Sequence, residues 1–490
     1  MRKIVKLLTA IILVIVINMP ALAMATSNDE SSIDEMTKYI QSQMKKSKIQ
    51  GLSIVFINHG NTIYKKNFGY ADVEAGKKVT NDTLFELGST SKAFTAMGIY
   101  ILEEQGLINL DAKLSEYLPW FYMNYDKTKN DDITVRQCLH HTTGISTGTI
   151  TLIKEINGDE LEKTVHSLVG KKLEYKPGEH YEYATINYDI LGLIIEKVSG
   201  QKFDKFMKAQ VFDRCGMNNT YFRSDYSIPK KLAKGYRVSF MRAFEDNAPV
   251  YIGNAPAGYA VTNIIDMEKW IKLQISYYGS SSNIGKLLEK LREADTSVSS
   301  HGHDVPGYQS VRYASGWEKE DTKIGYFNSG NNPNYSSFEY FELENKKALA
   351  ILCNAGSDTV EKMGYGILDI LDGKEPAFHE DPLIVGDRNF TIISIALGLI
   401  DIIILIKIIS ERKKIILMAK LLNKNKIKIC VLLLLIALFG ILLYNLPTIV
   451  TGGMGWRFIV VWSTRAMALA AILFYLLIVL LLIKFILNKK

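Results

Sequence analysis

Three apolar runs near the C-terminus constrain this chain more than any other feature. FTIISIALGLIDIIILIKII (390–409), ICVLLLLIALFGILLYNL (429–446) and AMALAAILFYLLIVLLLIKF (466–485) are each long enough to cross a bilayer. In hydrocarbon every backbone N–H and C=O must be bonded within the protein, so a helix is the conformation open to such a run. Between the first two lies SERKKIILMAKLLNKNKIK, and the chain ends Asn-Lys-Lys. The bias of Lys and Arg toward the cytoplasm places both basic segments inside. The loop with Gly452, Gly453 and Trp456, and the whole chain upstream of residue 390, then lie outside.

The N-terminus agrees with that orientation. MRKIVKLLTAIILVIVINMPALAMATS offers Arg2, Lys3 and Lys6, an apolar stretch, and small residues at Ala21, Ala23 and Ala25. Such a segment reads as a secretory signal peptide over residues 1–25. The plan is therefore a signal (1–25), an extracytoplasmic domain (26–378), a linker (379–389) and a membrane domain (390–490). It describes a multi-pass protein of the cell membrane with a cytoplasmic C-terminus. Charge follows the same division. Three basic residues in the signal and a basic excess of eleven from residue 390 onward leave the external domain near −7, against +7 for the whole chain. The basicity belongs to membrane orientation and gives nucleic-acid binding no support. The four cysteines (Cys138, Cys215, Cys353 and Cys430) form no CxxC pair or regular spacing, which argues against a disulfide framework or a zinc site.

In the external domain an amphipathic helix near 32–47 precedes GLSIVFI and NTIYKKNFGYA, two strand-like runs about an Asn-His-Gly turn. From about 89 to 290 the pattern is mostly helical. Strands return in SVRYASGWE, KIGYFNSG, SSFEYFEL and KKALAILCNA, and a helix near 359–372 closes the domain. The expected fold is α+β: one antiparallel sheet built from both ends of the domain and flanked by helices, with a large helical subdomain inserted between the two sets of strands.

The strongest chemical signal is FELGSTSKAFTAMGIYILEEQGLI, where Ser89 and Lys92 stand three apart at the start of a helix. That spacing puts them on one face, so the amine can approach the hydroxyl. Serine is a weak nucleophile until a base takes its proton, and lysine can be that base only if burial or nearby positive charge lowers its pKa. SxxK alone is common. Here it is followed, in order, by ITVRQCLHHTTGIS, PGEHYEYATINYDILGLIIEKVSG, PAGYAVTNIIDMEKW and YASGWE. This series resembles the class C β-lactamase-like serine hydrolases, which include DD-peptidases, D-aminopeptidases, esterases and β-lactamases, over about residues 30–372.

The resemblance implies Ser89 as acylated nucleophile and Lys92 as its partner. It implies Tyr183 as the proton-shuttling tyrosine, with Lys92 favouring a phenolate-like form. The backbone N–H groups of Ser89 and Asn331 would make the oxyanion hole. Neither cofactor nor metal is needed. Tyr181 and Tyr188 fall outside the motif position and are expected to pack. Two departures stand out. The family's Tyr-x-Asn reads Tyr183-Ala184-Thr185, and its Lys-Thr-Gly or His-x-Gly reads Asn328-Ser329-Gly330. The basic residue that greets an anionic substrate carboxylate is missing, so uncharged groups suit a neutral polar substrate better. Within the family, the chain resembles the prodrug-maturing D-asparaginyl peptidases such as the colibactin-activating enzyme, which share three C-terminal membrane helices. That resemblance implies a small acylated peptide or D-amino-acid amide as substrate, read by Thr185 and Asn328, with Glu86, Ser329, Gly330 and Tyr259 as further contacts. Action on cell-wall peptides or esters, or a ligand-binding sensor without catalysis, are the other readings of the same residues.

Other motifs are weaker. Gly144-Ile145-Ser146-Thr147-Gly148 matches GxSxG but lacks the strand that must precede such a serine. His301 and His303 form an HxH without an evident third ligand, and His140 and His141 are expected to be structural. Asp401, near the middle of the first apolar run, is an expensive group in hydrocarbon and calls for a partner, Arg465 or a polar group on another helix.

Overall fold

The computed structural model describes residues 32–154, 159–302, 310–321, 325–376, 380–411, 426–451 and 453–488. The expected signal peptide and most of the basic loop between the first two apolar runs lie outside the described residues. Helix α1 (32–46) leads into strands β1 (Gly51–Asn58) and β2 (Asn61–Asp72). The short β3 (Lys77–Lys78) follows. The remaining strands of the main sheet come after the helical subdomain: β4 (Val311–Tyr313), β5 (Glu318–Glu320), β6 (Gly325–Asn332), β7 (Tyr335–Glu342) and β8 (Lys347–Cys353). Their order across the sheet is β4-β5-β6-β7-β8-β1-β2-β3, with antiparallel neighbours throughout.

The central strand β1 explains why GLSIVFI is apolar without alternation. Leu52, Ile54 and Phe56 face one core, with Met36 and Ile40 of α1 and Val360, Met363 and Ile367 of α5 (Thr359–Leu371). Val55 and Ile57 face the other core, with Phe94 of α2 (Ser91–Glu104) and Trp270 and Ile271 of α4 (Ile264–Ser276). A strand covered on both faces needs apolar residues at successive positions. Helix α3 (Ile186–Ser199) belongs to the inserted subdomain and packs beside α2. It stops at Gly200, whose φ of +68° is the left-handed cap that glycine adopts readily.

Three long helices follow: α6 (Pro382–Ser410), α7 (Lys426–Val450) and α9 (Arg465–Asn488). All are long and apolar enough to cross a membrane. The first starts earlier than its apolar run. Asp381 caps it by accepting from the Leu383 N–H at 2.8 Å, and Pro382 sits at a position where its missing N–H costs nothing. Residues 382–389, expected as linker, are therefore helix. A short helix, α8 (Trp456–Trp462), lies between α7 and α9.

Polar bonds bolt this region to the α+β domain through a hairpin, Tyr236–Ser239 paired with Arg242–Glu245. Arg237, buried, donates to the carbonyls of Val460 (2.9 Å) and Ser463, and pairs with Asp246 at 3.0 Å. Arg465 pairs with the same carboxylate at 2.7 Å and lies over the Phe244 ring. Asp387 accepts from the N–H groups of Phe240 (2.9 Å) and Met241 (2.6 Å) and from the Thr464 hydroxyl. Arg465 is thus committed to Asp246 and not to Asp401. Both Asp401 carboxylate oxygens are buried with no hydrogen-bond partner among the described residues, so neither expected partner is met.

Candidate active site

Residues 88–90 form a single tight turn that ends the strand segment Phe85–Glu86 and opens α2. Two glycines let β6 come hard against it. A Cβ on Gly330 would fall 2.0 Å from the Leu87 carbonyl and 2.8 Å from the Ser89 amide nitrogen. At Gly88, where φ is +61°, a Cβ would fall 2.6 Å from the Asn331 amide nitrogen. These close approaches bring the Gly88–Ser89 backbone directly against the Gly330–Asn331 backbone.

Lys92 Nζ lies 3.0 Å from Ser89 Oγ and donates to the Ala257 carbonyl at 2.9 Å. The Tyr183 hydroxyl, 94 positions along the chain, donates to Ser89 Oγ at 2.9 Å. Lys92 is fully buried; desolvation brings its pKa down to about 7, with Asp189 opposing the shift. Burial pushes the Tyr183 phenol above its usual range, although Lys92 Nζ lies 5.0 Å from its ring centroid. This ordering differs from the expectation that Lys92 favours a phenolate-like tyrosine. In a dry site burial penalises both charged forms, so neutral amine and neutral phenol are the stable pair above pH 7.

The surroundings hold these groups in place. His141 packs on the Tyr183 ring (centroids 4.4 Å) and accepts at Nδ1 from Asn187 (3.0 Å) and the Ala184 N–H (3.3 Å). Its pKa falls well below the usual value through burial and then the nearby Lys92, so it is a neutral wedge. Asp189, also fully buried, is raised well above the carboxylate range by desolvation. Asn254, with its amide nitrogen turned toward it, donates at 2.9 and 3.2 Å. Tyr188 donates to the Leu139 carbonyl at 2.9 Å, and Tyr181 stacks on His301 at 3.9 Å, so both pack as expected.

A cavity of about 280 Å³ opens over Ser89. Its polar lining includes Thr185, Asn254, Asn331 and Asn332. Tyr259 is part of the wall, where Ile150, Ile153 and Tyr251 add apolar surface. Of the expected substrate contacts, Thr185 and Tyr259 therefore line the cavity and the others do not. Asn328 is turned inward, donating to the carbonyls of Gly316 (2.7 Å) and Ser89 (3.4 Å), which ties β6 to the turn that carries Ser89. Glu86 is buried in an ion pair with Arg223 (2.7 Å) and accepts from Asn332 (2.9 Å), so it positions a lining residue from behind. Ser329 is half-buried on β6, and Gly330 supplies close approach. Sequence reading missed Asn254, Asn332 and Lys154, and also Arg457, Phe458 and Trp462 of α8, which wall the same cavity. None of these carries a motif.

The remaining motifs resolve simply. Ser146 caps the turn Thr147–Leu152 by accepting from the Gly148 N–H, so the GxSxG match is a helix start. His303 lies outside the described residues, while His301 stands 3.7 Å from Glu318. Among the described residues no group of three His, Cys, Asp or Glu side chains has metal-holding geometry.

The Beta-lactamase family model matches residues 36–372, and the chain belongs to that family as a penicillin-binding-protein-like serine hydrolase. Protein flp of Staphylococcus aureus (strain N315) is 28% identical over 455 residues, spanning 91% of this chain and 88% of its own length. Penicillin-binding protein 4* of Bacillus subtilis (strain 168) is 26% identical over 317 residues, 61% of this chain and 67% of its own. The octameric penicillin-binding protein homologue from Pyrococcus abyssi superposes with a TM-score of 0.60 at 25% identity, covering 73% of this chain and 81% of its own. EstCE1, a hydrolase with promiscuous acyltransferase activity, shares the fold at a TM-score of 0.59 and 21% identity, covering 70% and 99%.

Proposed function

We propose that the protein is a membrane-anchored, extracytoplasmic serine peptidase that works through an acyl-Ser89 intermediate. The observation that carries this reading is the convergence of Lys92 Nζ and the Tyr183 hydroxyl on Ser89 Oγ, at 3.0 and 2.9 Å. Neutral Lys92 takes the serine proton as Oγ attacks the substrate carbonyl carbon. The N–H groups of Ser89 and Asn331 hold the oxyanion. Collapse breaks the carbonyl–nitrogen bond, and the leaving amine takes a proton through Tyr183, which stays a phenol until that moment. Water then attacks the acyl-Ser89 carbonyl and passes a proton by way of neutral Lys92 to Ser89 Oγ as the acyl–Oγ bond breaks, releasing the carboxylic acid and restoring the Ser89 hydroxyl.

The favoured substrate is a neutral N-acyl-D-amino-acid amide, with a D-Asn cap on an exported nonribosomal-peptide prodrug as the leading case. Thr185 gives the cavity an uncharged hydroxyl suited to a carboxamide, while Asn254 and Asn332 line it with amide nitrogens already donating to Asp189 and to Glu86 and Gly258. Asn328 no longer contributes to that reading, because its amide is spent on Gly316 and Ser89. Lys154 and Arg457 in the same lining favour a second reading, a peptidase or esterase acting on anionic cell-wall components. Offering N-acyl-D-Asn, N-acyl-L-Asn and N-acyl-D-Ala amides together separates the two. Preference for D-Asn supports prodrug maturation, and equal turnover or preference for D-Ala overturns it.

A further inference from the structure

The hairpin beside α6 turns on two residues, Phe240 and Met241, both with positive φ (+53° and +61°). A two-residue hairpin loop of that shape favours Asn-Gly or Asp-Gly, since other side chains are strained there. Two bulky apolar side chains stand there instead, 42% and 50% exposed. Asp387 of α6 accepts from both their backbone N–H groups, which fixes the tip at that level of the helix. The apolar run of α6 begins at Phe390, about 4–5 Å further along at a rise of about 1.5 Å per residue. The polar layer on each side of a bilayer is about 5–7 Å thick. With α6 across a membrane, Phe240 and Met241 stand in that layer, where apolar side chains are covered by lipid.

A cavity of about 310 Å³ lies beside the tip, between the end of α1 and the start of α6, with Met241 in its lining. It shares no lining residue with the cavity over Ser89. Lys46, Lys48 and Arg388 give it three basic side chains. Its three carboxylates are all engaged. Asp381 accepts from Leu383, Ser357 and Thr359, Asp387 holds the hairpin tip and Thr464, and Glu380 pairs with Arg388 at 3.3 Å. Gln43 of α1 also lines the cavity and is only 6% exposed, yet its carboxamide has no hydrogen-bond partner among the described residues. A polar ligand in the cavity would supply that partner.

We propose that the hairpin tip and this cavity bind an anionic phospholipid. Its phosphate accepts hydrogen bonds from Lys46, Lys48, Arg388 and Gln43, and its acyl chains run past Phe240 and Met241 beside α6. A zwitterionic headgroup carries the same phosphate, but its ammonium cancels the charge that the basic side chains attract. This rests on the membrane-anchored part of the reading above and is independent of the chemistry at Ser89.

The test uses the full-length protein in dodecyl maltoside with phosphatidylglycerol, phosphatidylcholine or soluble glycerol phosphate added. Native mass spectrometry reads binding, and thermal melting reads stabilisation. The unmodified protein is expected to bind phosphatidylglycerol about tenfold or more tighter than phosphatidylcholine. Lys46→Ser combined with Lys48→Ser, both at exposed positions, is expected to weaken phosphatidylglycerol about tenfold or more and bring the two lipids level. Phe240→Asn combined with Met241→Gly installs a favoured turn pair, so the hairpin keeps its shape while its apolar side chains are lost. That variant is expected to weaken both lipids and leave their ratio unchanged. Equal binding of the two lipids by the unmodified protein, or unchanged binding in either variant, overturns the proposal. Stabilisation by glycerol phosphate equal to that by phosphatidylglycerol assigns the cavity to a soluble anion and overturns the lipid. Full-length protein recovered in the aqueous fraction without detergent overturns the membrane-anchored reading itself.

Discussion

Ser89 stands between two groups whose neutral forms burial favours, and in the proposed mechanism each shift suits its group's task. Lys92, brought down to about 7, must be unprotonated to accept from serine, so acylation is fully available above pH 7 and is lost as pH falls through that value. Tyr183 is pushed the other way and serves best as a proton donor. Tyr183→Phe should therefore slow amide cleavage by about a hundredfold or more, yet cost p-nitrophenyl ester cleavage much less, because nitrophenolate leaves without a proton. Parallel kcat measurements on an amide and an ester check this; equal losses would place Tyr183 in positioning only. The sequence made this trio legible because SxxK and the tyrosine motif are local and ordered. It could not reveal that Asn328 turns inward, since that depends on the Gly316 carbonyl brought alongside by a neighbouring loop.

At the level of elements, the site depends on how closely β6 meets the turn before α2. Gly330→Ala would drive a methyl into the Leu87 carbonyl, forcing the strand outward. The expected outcome is a loss of about 1–3 kcal/mol in stability and about a hundredfold in kcat, as the two amides separate. Thermal melts and ester kinetics read both. The junction of α5 and α6 is a second such point. Buried Asp381 accepts from Leu383 at the start of α6 and from Ser357 and Thr359 at the start of α5. Asp381→Ala removes a cap and strands those donors, and should cost about 1–3 kcal/mol in a denaturant or thermal titration. Strand identity was readable from apolar runs, whereas the burial of β1 on both faces became clear only from the two cores that it separates. The early start of α6 was less visible, because a cap is a single acidic residue whose meaning depends on the turn it meets.

For the molecule as a whole, the hydrolase-fold domain and the long apolar helices form one unit through the Arg237, Asp246 and Arg465 cluster. The three apolar runs foretold the helices, but nothing in GGMGWRFIVVW marked it as a wall of the catalytic cavity, because that contact joins residues over two hundred positions apart. Arg237→Ala should release α8, since the Val460 and Ser463 carbonyls lose their donor. Hydrogen exchange is expected to quicken across residues 456–464 by tenfold or more, a loss of about 1.4 kcal/mol of local protection, while the central sheet is unchanged. Unchanged exchange at 456–464 would mean that the clamp is not what holds the segment.

The central claim is that Ser89 is a nucleophile activated by a buried, neutral lysine. Its most direct test is the rate of fluorophosphonate labelling of the full-length protein between pH 5.5 and 8.5, with the modified peptide identified by mass spectrometry. The account predicts a single adduct on Ser89, formed at a rate that falls about tenfold per pH unit below about 7. An adduct elsewhere, none at all in folded protein, or a rate indifferent to pH across that range would contradict it.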